Sequence, residues 1–178
     1  MAEIKTFDFS YLVEVKNLLK DIFYNEHSKE KFNEWEFAEQ VLKSEGYVPE
    51  LCLTAFEEEE VVGYNILTTA TIGQTRGLAL GPLGVKASHQ TKGIGSMLVK
   101  ESIERAKQAG APWIVLLGGN YYQRFGFEKG KMFDIVVSDN AFDNEHIQIL
   151  FLDDKAKTVT SGKLIYCDAF YDEQGNLL

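Results

Sequence analysis

Residues 89–98 read "HQTKGIGSML", in which Gln90, Gly93 and Gly95 form Q-x-x-G-x-G between a strand-like run and a helix-like run. Glycines at such a turn let backbone N–H groups point inward with no Cβ in the way, and the positive end of the following helix adds to them. The chemistry this offers is an anion cradle, with Lys92 as a mobile charge at its rim. Two other phosphate-binding patterns fail on residues they cannot spare. A dinucleotide fingerprint needs a third glycine where Leu98 stands, and an acid after the next strand. A triphosphate loop needs G-K-[ST], but Gly93 is followed by Ile94. A plain tight turn before a helix would use the same glycines, and the motif alone does not separate it from a cradle.

The elements that must hold this turn follow from periodicity. Asp8 or Ser10 can cap a helix through "YLVEVKNLLKDIFY", with Leu12, Val15, Leu18, Leu19 and Ile22 at helical spacing. A second helix is predicted over "EKFNEWEFAEQVLKSEG", closed by Gly46, after the polar loop "NEHSKE". The runs "ELCLTAF" and "VVGYNILTTA", joined by "EEEE", predict an antiparallel hairpin with the glutamates as a solvated tip. A third strand, "GLALGPLGV", enters the glycine turn. The helix "IGSMLVKESIERAKQAG" leaves it, and "WIVLL" follows as a strand covered on both sides. Strand, helix, strand in this order is a right-handed parallel crossover. "FDIVVSD", "HIQILFLD" and "GKLIYCDAF" predict further strands. The fold class is α+β: a mixed, mostly antiparallel sheet with a central parallel βαβ crossover and helices on both faces.

Bulk properties limit the function. The 178 residues, 45% hydrophobic and 12% aromatic, suit one globular domain, and no run of apolar residues is long enough to span a membrane. The first residues lack the apolar core of a secretory signal, so a cytoplasmic protein is the default. Cys52 and Cys167 are far apart without metal-ligand spacing, and both are expected in buried strands, so neither a metal nor a covalent acyl-enzyme is predicted. The net charge of −9 argues against nucleic acid as a partner. It is unevenly spread: residues 61–100 hold Arg76, Lys86, Lys92 and Lys100 and no acid, so an anion would land there.

"LGPLGVKASHQTKGIGSMLVKESIERAKQAG" followed by "IVLLGGNYYQRFGF" resembles the acetyl-CoA-binding core of the GNAT superfamily of N-acetyltransferases. More narrowly it is similar to a bacterial branch of predicted acetyltransferases with a G-P-L-x-V strand and a Y-Y-x-R-F-G-F segment. "NAFDNEHIQILFLD" resembles the C-terminal strand region of that branch. The resemblance implies acetyl-CoA as cosubstrate, its pyrophosphate held mostly by backbone amides of Gln90, Thr91, Lys92, Gly93, Ile94, Gly95 and Ser96. It implies that Leu83, Gly84 and Val85 pair with the pantetheine arm, one amide polarising the thioester carbonyl, and that this strand splays from "WIVLL". Tyr122, four residues before Gly126-Phe127, would be the general acid that protonates the departing thiolate, and Asn120 would contact the pantetheine.

The same resemblance divides the domain into an acceptor side over residues 1–76, a coenzyme core over 77–130 and C-terminal strands over 131–178. Many relatives carry a glutamate as base where Gly81 stands, so deprotonation of the amine falls to Glu26, to His27 or to a water chain. His89, beside the cradle, would contact phosphate or solvent. The implied activity is direct acetyl transfer to a primary amine, on a small molecule or a peptide, in a ternary complex. A non-catalytic acyl-CoA-binding module and an acetyltransferase of protein substrates are the alternatives, and a homodimer is compatible with either.

Overall fold

The computed structural model describes residues 2–23 and 34–177. Strand β1 (Glu3–Thr6) leads to Asp8, whose carboxylate accepts from Ser10 N at 2.9 Å and caps the turn entering helix α1 (Leu12–Phe23). Asp8, and not Ser10, is therefore the cap. Val15, Leu18 and Leu19 are buried, with Leu12 and Ile22 packed beside them, as their spacing predicts. Helix α2 (Glu34–Leu42) follows, and Lys16 of α1 reaches Glu39 of α2 at 2.7 Å.

Gly46 does not close α2, which ends four residues earlier. It serves close approach instead: a Cβ on Gly46 would lie 2.4 Å from the Cβ of Cys167. Cys167 itself is half-buried just beyond a strand rather than within one, while Cys52 is buried and its thiol is pushed up to about 12 by desolvation.

Strands β2 (Tyr47–Glu57) and β3 (Glu60–Ile72) form the predicted hairpin, turning at Glu58 and Glu59, both at positive φ. β4 (Thr75–Val85) pairs antiparallel with β3. Helix α3 (Ile94–Gln108) crosses over to β5 (Trp113–Leu117), which is parallel to β4. The remaining elements are β6 (Glu128–Lys129), β7 (Ile135–Val136), α4 (Ala141–His146), β8 (Ile147–Phe151) and β9 (Gly162–Tyr166). The strand order is β1-β2-β3-β4-β5-β8-β6, and β9 joins the end of β3 and pairs with β7. This is the mixed, mostly antiparallel sheet with one parallel crossover that the sequence predicts. The run "FDIVVSD" gives only the two-residue β7, because its sole ladder is a short parallel one with β9.

Alternation along β2 and β3 separates two cores. Cys52, Tyr64 and Ile66 face α1 and α2, while Leu53, Ala55 and Val62 face Ile94 and Leu98 of α3. Helices therefore cover both faces. A buried polar contact also seats α3: Asn65 Nδ2 of β3 donates to Ser102 Oγ at 2.8 Å, and both residues are buried.

Among the described residues no helix is long and apolar enough to cross a membrane, and no group of His, Cys, Asp or Glu could hold a metal ion.

Removing the Ser102 hydroxyl strands the Asn65 amide in the core, so Ser102→Ala should lower unfolding free energy by about 1–3 kcal/mol. Urea denaturation measures this; a loss under about 0.5 kcal/mol would mean that the contact does not hold the helix.

Candidate functional site

β4 and β5 pair at only two positions, Leu78↔Ile114 and Ala79↔Val115. β5 then follows β8, with which it pairs through its whole length from Trp113↔Phe151 to Leu117↔Ile147. Beyond Ala79 the two parallel strands diverge, and the β5-facing edge of β4 from Leu80 to Val85 has no strand partner among the described residues. Leu83, Gly84 and Val85 lie on that stretch.

The chain leaves β4 through Lys86–Gln90 and enters α3 at Gly93. Gly93 has φ 84°, a left-handed conformation that costs a side chain about 1–2 kcal/mol, and a Cβ there would meet nothing within 4 Å. The first helical hydrogen bond runs from Met97 N to Gly93 O, so the amides of Ile94, Gly95 and Ser96 precede any intrahelical acceptor. Gln90 Nε2 donates to Val85 O at 3.1 Å and ties the turn back to the end of β4. The glutamine thus shapes the loop, while backbone nitrogens form its interior.

These elements enclose a cavity of about 620 Å³. Leu83, Gly84, Val85, Gln90, Thr91, Gly93, Ile94, Gly95 and Ser96 all line it, together with Tyr122. Lys92 is exposed and not on its wall. Asn120 is also elsewhere: it accepts from Gln123 at 3.3 Å and lines a different cavity beside Gly118, Gly119 and His146. Glu26 and His27 lie outside the described residues.

His89 does reach the wall, bonded to Ser88 Oγ at 2.8 Å with Glu57 at 3.7 Å, and Glu60 pairs with Lys86. Two of the four tip glutamates are therefore folded onto Lys86 and His89 of the cradle loop, where the sequence predicts only a solvated turn.

Tyr122 sits in a 3₁₀ turn, Asn120–Phe125, that follows β5 and ends at Gly126. It lines the first cavity and an adjoining one of about 320 Å³, which shares Phe23 and Leu83 with the first and also includes Leu80, Gly81, Leu116, Phe37 and Phe170. Burial pushes its phenol above the ordinary value, and neighbouring Tyr121 adds to the shift. Arg124 donates from Nε to Tyr121 O at 3.0 Å, lies 4.3 Å from the Tyr121 ring centre, and faces the cradle cavity.

One supporting residue escaped the sequence reading. Gln148 of β8 is buried, and its Nε2 donates to Gly118 O at 2.8 Å and Gly119 O at 2.7 Å. Gly118 in turn lies so close to Tyr122 that a Cβ would stand 2.8 Å from the ring. Gln148 thereby fixes the backbone against which Tyr122 rests. Its signal was a lone amide between two isoleucines in "HIQILF". Ile22, one of the residues at helical spacing in α1, also lines the cradle cavity, as does Phe23.

The family model described as acetyltransferase (GNAT) matches residues 12–127. The chain belongs to the GNAT acetyltransferase family. It is 33% identical over 93 residues to an uncharacterized N-acetyltransferase, YjhQ, from Escherichia coli (strain K12); that match takes in 49% of this chain and spans about half, 51%, of the relative. In fold it is similar to the GNAT family N-acetyltransferase YhbS from Escherichia coli in complex with CoA (TM-score 0.84, 22% identity, 95% of this chain and 91% of that one). It is also similar to a GNAT family acetyltransferase from Brucella melitensis in complex with acetyl-CoA (TM-score 0.75, 24% identity, 96% and 98%).

Gln148→Glu tests the clamp beneath Tyr122. A buried carboxylate facing two carbonyls is stable only when protonated, so its folded-state pKa is raised and the variant keeps stability at low pH and loses it as pH rises. Relative to the wild type, the variant should unfold more easily at about pH 8 than at about pH 5 in matched denaturant titrations. A pH-independent difference would place the side chain outside the carbonyl pair.

Proposed function

We propose that this chain is an N-acetyltransferase that moves the acetyl group of acetyl-CoA to a primary amine by direct attack in a ternary complex. One observation carries the reading: Tyr122, with Phe23 and Leu83, lines both the amide-lined cavity at the helix entrance and a second cavity where Leu80–Leu83 of β4 and Leu116–Leu117 of β5 diverge. A donor on one side and an acceptor on the other would meet at its hydroxyl. The cradle suits a diphosphate because its interior is made of backbone nitrogens at a helix start, with no Cβ at Gly93 to fill it.

Bound acetyl-CoA supplies the electrophilic thioester carbonyl. The amides of Ile94, Gly95 and Ser96 hold the diphosphate, with Arg124 as the cation on the wall. The edge of β4 at Leu83, Gly84 and Val85 offers backbone groups to an extended pantetheine, and an amide there polarises the carbonyl. Tyr122 gives its proton to the thiolate that departs. Gly81 has no side chain to act as base, so the proton of the amine leaves by another route. The compact second cavity favours a small amine over a protein surface, and residues 1–76 together with the C-terminal strands serve as the acceptor side.

Calorimetry with acetyl-CoA is the direct test. Gly93→Val should raise the acetyl-CoA Kd by more than about tenfold, since a branched side chain resists positive φ and stands beside the amides. No heat from the wild-type protein would end the reading.

Tyr122→Phe should lower kcat by about tenfold or more while the acetyl-CoA Kd stays within about twofold. Equal turnover under chemistry-limited conditions would remove Tyr122 from the mechanism. Because a raised pKa keeps the phenol protonated to higher pH, wild-type turnover should not fall between about pH 9 and 10 through loss of this acid. A decline there that is absent from the Phe variant would contradict the shift.

A further inference from the structure

Resting on that reading, we infer that the acceptor is a primary amine with an apolar body, an arylalkyl or short alkyl amine, held in the second cavity by a wall that the C-terminal segment builds. The wall away from the cradle is made by Phe37, Tyr166, Phe170 and Leu177. Phe170 stacks on Tyr166 at 4.4 Å and meets Phe37 edge-on at 4.7 Å. Two features place these residues. β9 pairs with Ala70–Ile72 of β3, which brings Tyr166 beside the sheet. The Asp172 carboxylate then accepts from Gln174 N and Asn176 N, turning the chain so that Leu177 bridges to Tyr171 and returns to the wall.

Polarity selects the class of acceptor. Glu34 is the one Asp, Glu, Lys, Arg or His on the lining of this cavity among the described residues. A polyamine or an amino acid would leave its further charges in an apolar chamber, where desolvation is costly. An aromatic or aliphatic body loses nothing there. The volume of about 320 Å³ is about twice the ~150 Å³ that holds one benzene ring, so a ring with a short linker fits.

The same apolarity bears on the missing base. An ammonium entering this chamber loses hydration, which shifts it towards the neutral, nucleophilic amine. Tyr166, whose phenol is pushed up by burial, stays protonated and cannot serve as base. In the transfer the amine nitrogen bonds to the acetyl carbon and the C–S bond breaks with its electron pair on sulfur. The sulfur takes the Tyr122 proton, and the proton shed by nitrogen restores the phenol through water. The sum is acetyl-CoA and amine giving amide and free thiol.

The test measures thiol release from acetyl-CoA with 2-phenylethylamine, hexylamine, spermidine and lysine, with acetyl-CoA calorimetry alongside. The two apolar amines should exceed the two polar ones in kcat/KM by about tenfold or more. Leu177→Ala should raise the KM for 2-phenylethylamine, and Leu177→Asp should raise it further, each leaving the acetyl-CoA Kd within about twofold. Coenzyme binding with spermidine or lysine preferred, with neither apolar amine turned over, or with both Leu177 variants unchanged in amine KM, overturns the inference alone. Failure of acetyl-CoA to bind would instead strike the proposed function.

Discussion

The site exists because β5 cannot follow two partners at once. Its first residue is pinned to β4: the Trp113 ring lies against Gly77 and its Nε1 donates to Thr75 Oγ1 at 3.1 Å. β8 then holds β5 through five consecutive pairs, whereas β4 holds it for two. The strands part after Ala79, and the β4 edge is left with backbone groups that need partners. An extended ligand with its own amides can complete such an edge as an added strand would. The cradle lies at the open end of β4, and Tyr122 comes within a few residues of the end of β5, so the separation sets their spacing.

The electrostatics of the cradle are less cationic than its composition implies. Lys86, one cation of an acid-free stretch, is engaged by Glu60 from the hairpin tip, and Glu57 stands 3.7 Å from His89. That leaves backbone amides, the start of α3 and Arg124 as the groups directed at an anion. Exposed side-chain charges are screened within about 10 Å at 0.1 M salt, whereas hydrogen bonds from fixed amides at contact distance are affected far less. Recognition by such a cradle depends on shape and donor geometry, which would let a strongly acidic chain accommodate an anionic ligand.

What could be read from the sequence follows the range of the interactions concerned. The cradle is local: Gly93 and Gly95 act through the backbone and Gln90 through a side-chain bond to Val85 O five residues away, so their spacing carried the signal and nine of the predicted lining positions meet in one cavity. The place of Tyr122 on the cavity lining was legible because the turn that presents it is fixed by its own neighbours up to Gly126. The far wall was not, since Tyr166 and Phe170 arrive by the pairing of β9 with β3, nearly a hundred residues apart and without a local mark. Gly46 was misread because glycine ends helices and also admits close neighbours, and only the position of Cys167 distinguishes the two. Asn120 shares the motif of Tyr122 yet points to a different cavity, as neighbours in a 3₁₀ turn diverge by about 120°.

The burial that positions Tyr122 also limits what it can contribute to the proposed reaction. An ordinary thiol titrates near 8.5 and an ordinary phenol near 10, and desolvation moves Tyr122 further up. The acidity of this phenol therefore does not drive the proton transfer, which comes late, as negative charge builds on sulfur. The thiolate is already a competent leaving group, so the phenol helps first by a hydrogen bond that strengthens as charge develops on sulfur and then by passing its proton across. Such a bond is worth far less than aligning the two reactants, for which well-oriented systems gain about 7–11 kcal/mol. In this fold alignment falls to rigid parts: the β4 edge, the helix entrance, and the Gln148–Gly118 support beneath the ring. Catalysis would then draw mainly on the geometry of the strand divergence, with Tyr122 as an auxiliary at the point where its two sides meet.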